Sequence, residues 1–461
     1  MKRPGFVVPA REKVAFGLGD FAINIAYTAI GFYYIYFLVN VARLPAPVAG
    51  AIFLVARFWD AIMNFVAGRI SDRVDTRMGR RRPFILASCL PVGILFALLW
   101  AVPSGGIAER TLYFVAVTVL FNTVFSFVVT PYNALMPELS QDYDERTNIS
   151  GFRMALSICG NLIAAAGGSF IVDSLFGGSA NYRRSYPVMG AAFGGIVVVA
   201  LLLTFLGTHE RVKPERQERQ ERQRLIRTIK SVLALREFRL VLGMFIFNMI
   251  GQDLIQTLFV FYLKDVIGIG EDLTFVLMGI PLVTAVAAVP LWVFAGERLG
   301  KRKAYMGAAA YFFCALAFAL FAPVGDLAFV ILIAVLAGVG FSASAVIPFS
   351  IIPDVIEIDE LENGTRREGI FYGTSMLLYK CLSAIVISLT TAALGWFGYS
   401  ESASLAEPAS ARLAIRLFLG LAPGIFFLVS AVFVKLLPIT KERFDQAKKA
   451  IGERASAPED R

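Results

Sequence analysis

Ile52-Phe53-Leu54-Val55-Ala56-Arg57-Phe58-Trp59-Asp60-Ala61-Ile62-Met63-Asn64 is an apolar stretch interrupted by one guanidinium and one carboxylate. It lies within a segment, 46–70, long enough to cross a hydrocarbon core about 30 Å thick as a tilted helix. An ionisable side chain near the middle of such a helix costs about 2.5–3.5 kcal/mol even on the gentler insertion scales. Such a residue is therefore expected to have a partner and a purpose. Arg57, three positions earlier, shares much of the same helix face, and Lys380 occupies a comparable depth in a later apolar segment. A carboxylate and two cations at that depth point to the movement of an ion or a substrate.

The rest of the chain agrees with a membrane setting. It has 461 residues, 57% of them hydrophobic, 40 phenylalanines and only 17% charged residues, against roughly 25% charged in a soluble protein. Its mean hydropathy is +0.67. Long apolar runs must satisfy their backbone groups internally, which makes them helices. The net charge of +9 would suggest nucleic acid in a soluble chain; here it is read as Lys and Arg held on the cytoplasmic side, and no nucleic-acid partner is expected. Cys89, Cys159, Cys314 and Cys381 all fall in apolar segments and read as small buried hydrophobes without a disulfide framework. The start, Met1-Lys2-Arg3-Pro4-Gly5, has no cleavable signal pattern, so the first span is expected to direct insertion.

Twelve apolar segments are predicted, at 14–40, 46–70, 83–103, 109–136, 149–173, 186–207, 238–263, 272–296, 303–323, 326–353, 368–397 and 409–437. This divides the chain into a six-helix bundle (1–207), a polar linker (208–237) containing the run Arg216 to Arg224, a second six-helix bundle (238–437) and a tail (438–461). Basic residues cluster in every second loop: Lys2, Arg3, Arg11 and Lys13 before the first span, Arg73 to Arg82 after the second, the linker, the 298–303 loop and the tail. That bias places both termini in the cytoplasm, and a bacterial inner membrane is expected.

The halves repeat each other. Gly68-Arg69-Ile70-Ser71-Asp72-Arg73 with Gly79-Arg80-Arg81-Arg82 follows span two, and Gly296-Glu297-Arg298-Leu299-Gly300-Lys301-Arg302-Lys303 follows span eight. Pro131 to Glu138 leads into Asp144-Glu145-Arg146-Thr147, and Pro348 to Asp354 leads into Thr365-Arg366-Arg367-Glu368. Two matches at one six-span offset are a transporter signature. The first loop resembles the cytoplasmic motif of the major facilitator superfamily. Gly19-Asp20-Phe21-Ala22-Ile23, Ala56-Arg57-Phe58-Trp59-Asp60-Ala61 and Pro131-Tyr132-Asn133-Ala134-Leu135-Met136-Pro137 resemble, more narrowly, the glycoside–pentoside–hexuronide:cation symporters.

The resemblance implies an all-α polytopic fold of twelve transmembrane helices in two pseudo-symmetric bundles. It also implies roles. Asp60 matches a carboxylate used for the coupling cation, Lys380 a lysine near that site, and Ser126 a cation-site threonine. Asp20 and Arg153 match residues that bind sugar hydroxyls. Three positions depart from the family: Asn64 and Val129 stand for aspartates, and Asn133 for a sugar-stacking tryptophan. The disaccharide site is therefore not intact.

Each group has two readings. Asp60 and Asn64, four apart, share one helix face and with Ser126 can offer hard oxygen ligands to sodium; Asp60 beside Lys380 can equally carry a proton. The plainer alternative is a static pair of Asp60 with Arg57 or Lys380. Asp20, Asn24 and Tyr27 form a stripe which, with Asn133, Arg153 and Lys380, can bind a polyol; alternatively Asp20 is a rim charge paired with Arg153. Asn248, Gln252 and Gln256 read as a cavity-facing stripe or as an interhelical seam, with Asp253 a second protonatable group. Asp72 and Arg73 are gating contacts or simply a basic rim.

The leading expectation is symport of a sugar or glycoside with a proton or sodium, with no cofactor besides that cation, by a protein working as a monomer among membrane lipids. A lysolipid or other amphiphile is the second. A membrane enzyme is a distant third, because the sole histidine, His209, lies at the linker boundary and no nucleophile elbow or phosphate loop is present.

Overall fold

The computed structural model describes residues 8–74, 76–140, 143–176, 181–211, 233–268, 271–363, 368–399 and 408–437. Thr365, Arg366 and Arg367, the Arg216–Arg224 run, Lys2, Arg3, Asp75 and the tail lie outside them. Among the described residues the chain is helical: α1 (Ala10–Ala29), α2 (Ala46–Arg73), α3 (Arg82–Leu98), α4 (Ile107–Leu139), α5 (Tyr143–Leu162), α6 (Tyr182–Gly207), α7 (Arg236–Phe261), α8 (Glu271–Leu299), α9 (Lys301–Ala317), α10 (Leu327–Asn363), α11 (Glu368–Trp396), α12 (Ala409–Gly420) and α13 (Ala422–Leu436). Among the described residues eleven spans are long and apolar enough to cross a membrane, α12 and α13 together forming the last; α3 is a shorter apolar helix. With α3 they account for the twelve expected segments.

Several helices outrun their apolar segments. α10 continues to Asn363, ten residues beyond the predicted end at 353: the carboxylates Asp354, Glu357, Asp359, Glu360 and Glu362 break up the apolar run without ending the helix. Spans one, five and seven also change character towards their far ends. There the α-helix widens into π-type turns at Ile30–Tyr34, Phe37–Val41, Ile163–Gly167, Phe170–Leu175 and Tyr262–Ile267. Such turns re-aim side chains and often mark functional positions.

Packing divides the chain into two units. The first contains 1–216, 256–279 and 384–415; the second contains 217–255, 280–383 and 416–461. In the first, α1 packs on α5 and α6, α3 on α4 and α6, and α2 on α4. α3 and α6 cross at Gly93 and Gly194. A Cβ on Gly93 would meet the Gly194 carbonyl at 2.8 Å, and one on Gly194 the Gly93 carbonyl at 2.6 Å. Small residues permit such close approach in lipid, where hydrophobicity gives helices no reason to associate. Trp100, fully buried, stands among Tyr34, Phe37, Phe96 and Tyr186 at 5.4–6.0 Å between ring centres.

In the second unit α9 packs on α10 and α13, with Phe312 and Phe427 stacked at 4.5 Å. A hydrogen-bonded seam runs through it. Asn248 donates to the Ser344 carbonyl at 3.0 Å and accepts from Tyr305 at 2.9 Å, while the Tyr305 and Ser430 hydroxyls lie 2.7 Å apart. Gln252 joins through the Ser344 hydroxyl at 3.1 Å. Asn248 and Gln252 thus follow the seam reading. One expectation is corrected: all four cysteines are free, but only Cys89 is buried, with Cys159 and Cys314 exposed and Cys381 intermediate. An apolar segment in a membrane need not face protein.

Candidate functional site

α2 and α4 lie side by side so that a row of hydroxyls on one meets a row of polar groups on the other. Trp59 Nε1 donates to the Thr123 hydroxyl at 2.8 Å. Asp60, 2% exposed, accepts through Oδ1 from Asn64 Nδ2 at 2.8 Å and from the buried Ser126 hydroxyl at 3.4 Å. That second contact is longer than the roughly 2.7–2.8 Å usual for O–H···O bonds. Asn64 Oδ1 accepts in turn from the Thr130 hydroxyl at 3.1 Å. Asp60, Asn64 and Ser126 are therefore brought together, with Thr130 as an unforeseen fourth. The sequence carried its signal: hydroxyls at 123, 126 and 130 recur on one helix face. Arg57 lies over the Phe53 ring, 4.9 Å from its centre.

A second group forms where α1, α4 and α5 meet. Arg153 Nη2 donates to Asp20 Oδ1 at 2.9 Å and to Asn133 Oδ1 at 2.8 Å. The guanidinium also lies 5.3 Å from the centre of the Tyr132 ring. Tyr132 stacks on Phe16 at 4.7 Å and donates to the Phe16 carbonyl at 2.8 Å. Gly19 makes room for it, since a Cβ there would come within 2.3 Å of the ring. Both Arg153 bonds leave from one nitrogen, so Nη1 and Nε have no acceptor among the described residues. Asn24 turns back to the Asp20 carbonyl at 2.8 Å, and Tyr27 meets Phe125 edge-on at 5.1 Å. Asp20 is buried and Asn133 exposed.

Lys380 and Asp253 belong to the second unit. Asp253 Oδ2 accepts from Tyr379 at 2.8 Å and from Ser383, which joins α7 to α11 through hydroxyls. Lys380 is half-buried on α11.

At the end of the helices that carries the N-terminus, Arg81 organises a charged knot. It binds Asp72 at 2.6 Å, Glu138 at 3.1 Å and the Ser71 hydroxyl at 2.7 Å. Burial pushes the Glu138 carboxyl above its ordinary value, against the pull of Arg81. Glu210 accepts from the consecutive backbone N–H groups of Arg80, Arg81 and Arg82, where α3 begins and an anion is favoured. Asp72 is thus a structural charge partner, whereas Arg73 is exposed and enters no ion pair among the described residues. Of the arginines in this loop, Arg81 is the one that pairs with Asp72.

At the opposite ends of the spans lies a cluster that sequence reasoning missed. Asp173 binds Lys264 at 2.6 Å and accepts from Ser169 and Tyr182. Lys264 also donates to the Tyr182 hydroxyl at 2.7 Å and faces the Tyr36 and Tyr182 rings at 5.2 and 4.5 Å. Tyr399 bridges Asn40 and Asp265 at 3.0 and 2.7 Å. These groups sit in or beside the π-type turns. All belong to the first unit.

Comparison with known proteins fits this architecture. An uncharacterised symporter of Synechocystis is 27% identical, over 93% of this chain and 94% of its own length. The sodium-dependent lysophosphatidylcholine symporter 1-A of Danio rerio is 26% identical over 95% and 88%. The fold is shared with a bacterial homologue of the human lysosomal transporter Spinster in an inward-facing, unoccupied conformation, with a TM-score of 0.69, 15% identity and coverage of 95% and 98%. Residues 15–441 match the family described as MFS/sugar transport protein. That match covers nearly the whole chain, which therefore belongs to the MFS/sugar transport protein family, as a multi-pass membrane transporter of the major facilitator superfamily.

Proposed function

We propose that this protein is a sodium-coupled symporter of a lysolipid-type amphiphile, working by alternating access with both termini in the cytoplasm. The observation that carries the coupling is the convergence of Asp60, Asn64 and Ser126 between α2 and α4. A carboxylate with amide and hydroxyl oxygens is a hard ligand set, suited to a small hard cation. The sodium-dependent relative in Danio rerio supports the same choice. Its narrower place among the glycoside–pentoside–hexuronide:cation symporters rests on the motifs at Asp20, Asp60 and Pro131.

Arg153 supports the amphiphile. Its uncommitted N–H donors suit an anionic headgroup. The second reading, a sugar, is favoured by the family description and by the polar stripe of Asp20, Asn24 and Tyr27. It is weakened because Asp20 is already bonded to Arg153. Symport follows if cation and substrate each favour the same occluded state.

Competition in sealed proteoliposomes tests the substrate. Under an inward sodium gradient, labelled lysophosphatidylcholine is expected to accumulate, and a tenfold excess of unlabelled sugars to leave that uptake unchanged. Accumulation of a sugar instead, blocked by other sugars and not by lysolipid, would return the protein to the glycoside reading.

A further inference from the structure

The Asn64 side chain holds three bonds at once, and their geometry ties the amide's orientation to the charge beside it. Its Nδ2 lies 2.8 Å from both Asp60 Oδ1 and the Asp60 backbone carbonyl, and its Oδ1 lies 3.1 Å from the Thr130 hydroxyl. As found here, the amide N–H presents positive charge to the carboxylate from the side where a cation would bind. Reversing the amide would place its oxygen about as near the carboxylate oxygen, and the Asp60 backbone carbonyl, as its nitrogen is now. Two oxygens at that separation repel unless a proton or cation lies between them. With a sodium ion there, the reversed amide becomes a ligand. Thr130 accommodates either arrangement, because a hydroxyl both donates and accepts: it donates to Oδ1 now and would accept from Nδ2 after reversal.

We propose that Asn64 is a reversible stand-in for the coupling cation, reversing its amide when sodium arrives, and that Thr130 is the positioning residue that supports both orientations. The proposal rests on the cation-coupling reading above and adds a selectivity element to it. A proton on Asp60 requires no such reversal, since an N–H and an O–H can share the site with Thr130 unmoved. The Asn64–Thr130 pair therefore sets the preference for sodium over protons. Asn64→Asp removes the competing donor and supplies a second anionic ligand.

The test is sodium titration of the purified full-length protein in nanodiscs, read by intrinsic fluorescence, since Trp59 adjoins Asp60. The wild type should show a saturable response. Thr130→Val, close in shape, should weaken apparent sodium affinity by about tenfold, the upper range for one hydrogen bond. Thr130→Ser should restore it to within about twofold. In an Asn64→Asp background the Thr130→Val change should matter little, because no amide remains to be turned. Equal affinity in wild type and Thr130→Val would overturn the role of Thr130, and a full Thr130→Val loss in the Asn64→Asp background would overturn the amide reversal. Absence of any sodium response in the wild type would overturn the coupling reading itself, and the inference with it.

Discussion

Asp173 and Asp60 are almost equally buried, 1% and 2% exposed, and the hydrogen bonds described above reach them from different kinds of donor. Asp173 meets the Lys264 ammonium at 2.6 Å, with Ser169 and Tyr182 completing its shell. On the side where α2 meets α4, Asp60 accepts from an amide and from a hydroxyl, the hydroxyl at 3.4 Å. A full charge at close range in a desolvated setting is strongly destabilising to remove on one side alone. Dipolar groups can turn, and so can exchange one partner for another. The first arrangement suits a fastening between spans five and seven, the second a site that loads and unloads.

The largest expected effect breaks the fastening. Lys264→Met leaves the Asp173 carboxylate buried and uncompensated, and should cost about 3–5 kcal/mol in thermal unfolding of detergent-solubilised protein. Adding Asp173→Asn should recover most of that loss. If single and double variants melt alike, Asp173 and Asp60 do not differ in the way argued.

Asp20 is an intermediate case, a carboxylate paired with a guanidinium that also has donors to spare. Arg153→Lys keeps the charge but loses the planar guanidinium, with the Nη1 and Nε donors that Asp20 and Asn133 leave unused. Substrate affinity should fall by about tenfold, or 1.4 kcal/mol, with little change in the cation dependence. A matching loss of sodium affinity would merge two sites that are separated here.

The smallest effect concerns Glu138 at the end that carries the N-terminus. Its carboxyl is raised by burial, so the folded state holds the proton more tightly than the unfolded state. The stability linked to this group is complete below its ordinary value and is lost as pH rises through the raised one. Glu138→Gln, permanently uncharged, should flatten that part of the pH–stability curve, changing stability by about 1 kcal/mol or less. A steeper dependence in Glu138→Gln would contradict the sign.

Apolar runs made the spans legible in the sequence, because nothing but helices can carry such runs through a bilayer. Helix ends were not: in α10 the helix continues where hydropathy stops. Asp60, Asn64 and Ser126 were found as a set partly because helical spacing linked the first two. Thr130 was passed over, although its spacing from Thr123 and Ser126 put it on the same face. Asp173 and Lys264 fell at the predicted ends of two spans, where a buried ion pair and a hydrated rim look alike in sequence. They are 91 residues apart, and only the packing of π-type turns brings them together. Arg73 and Arg81 show the same limit, since a basic loop does not reveal which arginine turns inward.

The proposed coupling rests on the Asp60 carboxylate. Wild type and Asp60→Asn should be reconstituted side by side and given labelled lysophosphatidylcholine with sodium outside only. The wild type should accumulate substrate above equilibrium and lose that excess when an ionophore collapses the gradient, while Asp60→Asn should do no more than equilibrate it. Gradient-driven accumulation by Asp60→Asn at the wild-type level would contradict the account.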